Sequence, residues 1–224
     1  VYDTFSQTAL QGEVTAQDAL SGIDYIQIIR AKKYGEWTEG AGQVGSSFRI
    51  EPSTRCFLYV VAKDVAGNET VGWTNGIVVD DQAPSGQNYQ QLITEPAGAN
   101  DNGFYKEDIT VHIAVQDKPD DDNYAALESV SYQIMSGQVQ EYKELYHTSK
   151  TGISEDELRQ SASFSAEELI DAVKFEGNEA SIEVTALDRA GNKTTSTQIM
   201  KIDVTAPEIE ITFDQEEPVG DRFF

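Results

Sequence analysis

Apolar and polar residues alternate with period two through much of this chain. Ile109-Thr110-Val111-His112-Ile113-Ala114-Val115, Ala180-Ser181-Ile182-Glu183-Val184-Thr185-Ala186 and Ile209-Glu210-Ile211-Thr212-Phe213 each place every second side chain on one face. That is the pattern of a strand with one buried side. Cys56 lies in an apolar run with Phe57, Leu58 and Tyr59, where a lone thiol is expected to be a small buried hydrophobe. Helix signals are confined to one region. Ser165-Ala166-Glu167-Glu168 has the spacing of a capping box, and Leu169, Ile170 and Val173 supply a short apolar face. Ser154-Glu155-Asp156-Glu157 repeats the signal more weakly. The expected class is therefore all-β, with one or two short helices between middle strands of the second half.

The pattern also repeats. Val61-Ala62-Lys63-Asp64-Val65-Ala66-Gly67-Asn68 corresponds to Thr185-Ala186-Leu187-Asp188-Arg189-Ala190-Gly191-Asn192, and Asp80-Asp81-Gln82-Ala83-Pro84 to Asp203-Val204-Thr205-Ala206-Pro207. Leu58, Val60 and Ala62 align with Ile182, Val184 and Ala186 and should point into equivalent cores. Upstream, Thr15-Ala16-Gln17-Asp18 aligns with Ala114-Val115-Gln116-Asp117. The tight Asp18-Ala19-Leu20-Ser21-Gly22 turn stands where the second copy carries the longer insert Lys118-Pro119-Asp120-Asp121-Asp122-Asn123-Tyr124. Self-similarity of this kind marks an array of domains. The boundaries that follow are a unit over 1–82, lacking part of its first strand, a unit over 83–206 with an acidic loop and a helical insert, and the start or stub of a third over 207–224. The chain opens on Val1, without an initiator Met or a signal peptide, and is expected to be a piece of a longer protein.

Composition narrows the function. With 39 acidic against 16 basic residues the net charge is −23, which repels nucleic-acid phosphates and anionic membranes alike. No run reaches the roughly 20 apolar residues of a transmembrane helix. One cysteine excludes an internal disulfide and leaves the compartment open. Catalysis finds no support: His112 and His147 are far apart, His112 falls on the polar side of its strand, and no nucleophile elbow, zinc-binding His-Glu-x-x-His pair or glycine-rich phosphate loop occurs. No catalytic or cofactor-binding residue is assigned.

The Asp-x-x-Ser-Gly-Ile turn, the Asp-x-Ala-Gly-Asn turn between the last two strands and the Asp-x-x-Ala-Pro exit together resemble the immunoglobulin-like repeats of bacterial surface and secreted proteins, especially of Gram-positive organisms. The resemblance covers nearly the whole chain. It implies tandem immunoglobulin-like β-sandwiches, an extracellular location at the cell wall or in the medium, and a stalk or spacer role beside adhesive or carbohydrate-active modules. The partners implied are neighbouring domains of the same chain, with glycan or host protein as the ligand of an alternative binding-module role.

Turn chemistry accounts for the repeated motif. Asp64 and Asp188 can accept backbone amides, Gly67 and Gly191 can take positive φ, and Asn68 and Asn192 tolerate the left-handed region. No metal ligand is therefore assigned. The rival is calcium at the junction between units. In an immunoglobulin-like sandwich the relevant loops share one end, so Asp80 and Asp81 should arrive near Asp117, Asp120, Asp121, Asp122 and Asp188, and calcium takes six to eight oxygen ligands. An isopeptide bond would need a buried lysine, and Lys63 is expected to be exposed. Trp37 and Trp73 are the candidate sugar platforms, with core or strand-edge packing as the simpler expectation.

Overall fold

The computed structural model describes residues 1–87, 91–117 and 122–212. The first unit contains β1 (Tyr2–Ser6), β2 (Leu10–Glu13), β3 (Ile23–Ala31), β4 (Gln43–Val44), β5 (Ser47–Ile50), β6 (Thr54–Asp64), β7 (Glu69–Trp73) and β8 (Gly76–Val79). Its larger sheet has the order β1-β8-β6-β3-β4, with β7 also paired to β6, and β2 pairs with β5 to form the facing layer. The second unit contains β9 (Ile93–Thr94), β10 (Phe104–Tyr105), β11 (Ile109–Gln116), β12 (Leu127–Ser136), β13 (Val139–His147), helix α1 (Glu155–Gln160), β14 (Ser163–Ile170), β15 (Gly177–Asp188) and β16 (Lys193–Ile202). Its sheets run β10-β16-β15-β12-β13 and β14-β11-β9. The repeat in sequence is a repeat in topology. β1 pairs in parallel with β8 as β10 does with β16, and every other pairing between strands is antiparallel.

Alternation makes each core. β11 buries Ile109, Val111, Ile113 and Val115 and exposes Thr110 and His112. These residues meet Ile134, Ile182, Val184 and Ala186 from the facing sheet. Cys56, Leu58 and Ile77 do the corresponding work in the first unit, with Ile28, Ile50 and Val79. Burial raises the Cys56 thiol pKa, which suits a packing role.

The helix expectation is corrected. The weaker signal forms the helix: Ser154 caps α1 with a reciprocal bond pair to Glu157 and a buried Leu158 anchors it. The stronger signal, Ser165 to Glu168, is β14 instead. Phe164, Ala166, Glu168 and Ile170 turn inward while Ser163, Ser165, Glu167 and Leu169 turn out. The strand pairs along its whole length with β11, from Ile109 opposite Ile170 to Gln116 opposite Ser163. Eight inter-strand pairs outweigh the modest preference of one capping box, and the proposed apolar face does not exist, since Leu169 and Val173 are exposed.

The two units share a third cluster. Tyr2, Ile29, Ala31, Phe57, Tyr59, Val61 and Val78 of the first unit pack with Tyr124, Ala125, Ala126, Ile153, Leu158 and Ala162 of the second. Strand β6 is thus apolar on both faces: Cys56 and Leu58 point into its own sandwich, Phe57, Tyr59 and Val61 into the junction. Backbone bonds reinforce the contact, with Tyr2 and Ile153 exchanging amide bonds of 2.7 and 2.9 Å. Arg55 lies 3.7 Å from Glu155 across the boundary.

Gly76 lets the junction close. A methyl group there would sit 2.2 Å from Cδ1 of Tyr2, whose ring is buried in the shared cluster. Gly76→Ala is expected to cost about 1–3 kcal/mol by overpacking, read as a lower denaturation midpoint; an unchanged midpoint would refute this account of the junction.

Candidate functional site at the domain junction

The site begins with two turns and one exit. At the β15–β16 turn, Asp188 accepts the Asn192 amide at 2.8 Å and its side-chain Nδ2 at 2.8 Å. Gly191 takes φ +94 there. The Asp64 turn of the first unit is the same, with Asn68 donating at 2.8 and 2.7 Å and Gly67 at φ +95. Neither asparagine is left-handed: each instead ties down the aspartate four residues before it. Asp117 ends β11. Asp80 follows β8, where its carboxylate accepts the Gln82 amide at 2.9 Å and, across the junction, the Ala125 amide at 2.7 Å. The Asp80 carbonyl accepts Asn192 Nδ2 at 2.7 Å. The exit of one unit is thereby fastened to the hairpin of the next.

These bonds bring Asp80, Asp117 and Asp188 together. One carboxylate oxygen from each lies within 4.8 Å of the others, and the three residues are 1%, 2% and 0% exposed. Both Asp117 oxygens are buried without a hydrogen-bond partner. The Ala125 and Ala126 amides lie near enough to favour its charge, yet neither bonds to it. Burial, then the charges of Asp188 and Asp80, push its pKa up to about 8. Burial also raises Asp188 to about 7, against the pull of its Asn192 bonds. Ala126 beside the site has φ +69, a conformation that costs a residue with a Cβ on the order of 1 kcal/mol. The aligned residue of the first unit is Gly22, at φ +78.

The first unit shows what the same residues do when nothing closes over them. Asp18, aligned with Asp117, accepts the amides of Leu20, Ser21 and Gly22 at 3.1, 2.6 and 2.9 Å. Those amides hold its pKa below the usual range, as Asn68 does for Asp64. Identical side chains thus shift in opposite directions: burial dominates at Asp117 and Asp188, hydrogen bonds at Asp18 and Asp64.

The remaining candidates lie elsewhere. Asp81 is exposed and bonded to Gln82, and Asp122 is exposed; neither joins the cluster. Asp120 and Asp121 lie outside the described residues. Lys63 is not buried: it pairs with Glu69 at 2.9 Å across the β6–β7 ladder, so the requirement for an isopeptide bond is not met there. His112 and His147 sit on strands of different sheets, near Glu167 at 3.2 Å and Glu144 at 3.9 Å. Trp37 stacks on Tyr59, with ring centres 5.5 Å apart.

Trp73 is 58% exposed and borders a groove of about 690 Å³ lined also by Val14, Ala16, Val60, Ala62 and Gly72. In the second unit the equivalent space is filled by β9, which pairs with β11 and whose neighbour Leu92 donates its amide to Ser196 on β16 at 3.0 Å. No counterpart of β9 occurs among the described residues of the first unit. Hence Val60 and Ala62 are only half-buried where Val184 and Ala186 are fully buried, a departure from the equivalence expected of the aligned residues.

Sheet order, parallel edge pairing and the paired hairpins define the chain as tandem immunoglobulin-like β-sandwiches, the second with a short helical insertion. No protein-family model and no curated relative matches it. Among solved structures it is similar to the FN1–FN3 domains of chicken CNTN1, at 14% identity over 90% of this chain and 67% of that one, with a TM-score of 0.27. It is also similar to a DUF3823 family protein from Bacteroides ovatus ATCC 8483, at 12% identity over 88% of this chain and 100% of that one, with a TM-score of 0.27. No described helix is long and apolar enough to cross a membrane. Residues 207–212, expected to open a third unit, form no strand, and residues 213–224 lie outside the described residues.

Proposed function

We propose that this chain is a non-catalytic spacer from an extracellular bacterial surface or secreted protein, projecting or supporting adhesive or enzymatic modules. The observation that carries this reading is the shared cluster. A spacer that transmits position must resist bending at its joints, and a joint with a common apolar core resists bending where a bare linker does not. The strongly acidic composition fits an exposed surface in bulk water. The repeated turn and exit motifs support membership of the bacterial immunoglobulin-like repeats.

Calorimetry of the whole chain tests the reading. A joint of this kind makes the two units unfold in one transition whose calorimetric and van't Hoff enthalpies agree. Two separate transitions, each matching a unit of about half the chain, would mean that the joint is a hinge.

One observation favours a second reading, a glycan-binding module: the exposed Trp73 beside the groove. The residue is then a stacking platform, and Trp73→Ala removes capture on a glycan array. Absence of capture by the unaltered chain disposes of this reading and leaves the spacer untouched.

A further inference from the structure

We infer that Asp80, Asp117 and Asp188 form a calcium site that locks the exit of the first unit onto the second. The inference builds on the rigid-junction reading but stands on separate observations. The first is distance. Oxygens bound to one calcium at about 2.4 Å lie no more than about 4.8 Å apart, and an oxygen from each of the three carboxylates meets that limit. The second is Asp117 itself. Its side chain is 98% buried by the 2% exposure that remains, points into the cluster, and has both oxygens without a hydrogen bond. A buried acceptor left in this way is costly, and a cation bound at those oxygens removes the cost.

The donor set selects the ion. All three ligands are carboxylates. Neither histidine is near, and Cys56 is buried in the first unit's own core. Hard oxygen ligands without nitrogen or sulfur suit calcium or magnesium rather than zinc or copper. Of the two, calcium accepts irregular, partly bidentate carboxylates, whereas magnesium demands near-octahedral geometry and keeps much of its water. A site buried under two packed units favours the ion that sheds water readily.

The first unit supplies an internal comparison. Asp18 and Asp64 occupy the aligned positions, but Asp18 spends its carboxylate on three backbone amides, and no exit aspartate from a neighbouring unit reaches it among the described residues. In the second unit both Asp117 oxygens lack a hydrogen bond, and Asp80 and Asp188 stand beside them. Only the second constellation is left with charge to neutralise.

The test uses the whole 224-residue chain, stripped with chelator, then titrated with calcium chloride and separately with magnesium chloride. Isothermal titration is expected to find one calcium site per chain. At a hundredfold excess over its dissociation constant, calcium should raise the melting temperature by about 5–10 °C, and magnesium by less. Asp117→Asn should abolish the calcium shift while keeping the β-sheet circular dichroism spectrum. Asp81→Asn and Asp122→Asn, which change charge nearby but lie outside the cluster, should retain it. Absence of a calcium site in the unaltered chain overturns the inference whatever the variants do, and so does a shift that survives Asp117→Asn. The spacer reading fails differently, by two calorimetric transitions in chelator as well as in calcium.

Discussion

Replacing Leu158 with alanine should destabilise the first unit although the residue belongs to the second. Leu158 is fully buried on α1, and its neighbours in the shared cluster include Phe57, Tyr59 and Val78 from the other unit. Truncating a buried leucine leaves a cavity and typically costs about 2–5 kcal/mol, depending on how far the surroundings collapse. Here the cavity opens between the units, so its cost falls on both. Hydrogen exchange is the measurement. Amides of β6 should lose protection together with those of β14 and β15, and by similar factors. Ile182→Ala offers the comparison, because Ile182 is buried in the second unit's own core and touches no cluster of the first. If Leu158→Ala loosens only the second unit, the shared cluster is contact without coupling.

In chelator, the melting temperature should fall as pH rises from about 5 to about 9. The sign follows from proton binding. Asp117 and Asp188 ionise near the ordinary aspartate value of 3.8 when unfolded, but burial raises them to about 8 and about 7 in the folded chain. Between those limits the folded form holds more protons, so stability is full below the unfolded value and drains away as pH climbs through 7 and 8. Each proton of difference amounts to on the order of 1.4 kcal/mol per pH unit. Asp117→Asn should flatten the slope, since an amide has no charge to desolvate. That comparison also separates the local effect from general repulsion in a chain of net charge −23, which the variant changes by a single unit. A melting temperature that is level or rises over this range would contradict the buried, uncompensated carboxylates. The opposite dependence belongs to the acid end: Glu157, held down to about 2 by Lys150 and Ser154, favours the fold above its unfolded value and ceases to do so only as pH falls through 4 toward 2.

Much of this architecture was legible from periodicity. The alternation at Ile109–Val115 and Ala180–Ala186 reads directly as β11 and β15, and the repeated Asp-x-Ala-Gly-Asn turns mark the hairpins that close each sandwich. Convergence of Asp80, Asp117 and Asp188 followed from knowing which loops share an end. What could not be read was selection within the acidic set. Asp81 and Asp122 have the same chemistry as the three clustered residues but face water, because strand ends and backbone amides, rather than composition, decide which carboxylate turns inward. The Ser165–Glu168 signal failed for a related reason: a local cap preference cannot register a partner strand more than fifty residues away in sequence. The shared cluster did leave a trace. Cys56 to Ala62 is apolar at nearly every position instead of alternating, and a strand that is apolar on both faces needs a cover on each. The cover came from Tyr124–Ala126 and from Ile153 and Leu158, short segments with no periodicity of their own to announce it.

That cover bears on how such a pair could be inherited. A unit copied or moved alone would be cut at the repeat boundary, here Ala83-Pro84. A cut at that point would strip Phe57, Tyr59 and Val78 of their packing and leave Tyr124 and Leu158 facing solvent. The second unit could not be exchanged for a plain copy of the first, whose tight Asp18–Gly22 turn lacks the residues that cover its neighbour. Tyr124–Ala126 and helix α1 thus make one repeat the lid of the other, and the smallest module that keeps its packing intact is the pair.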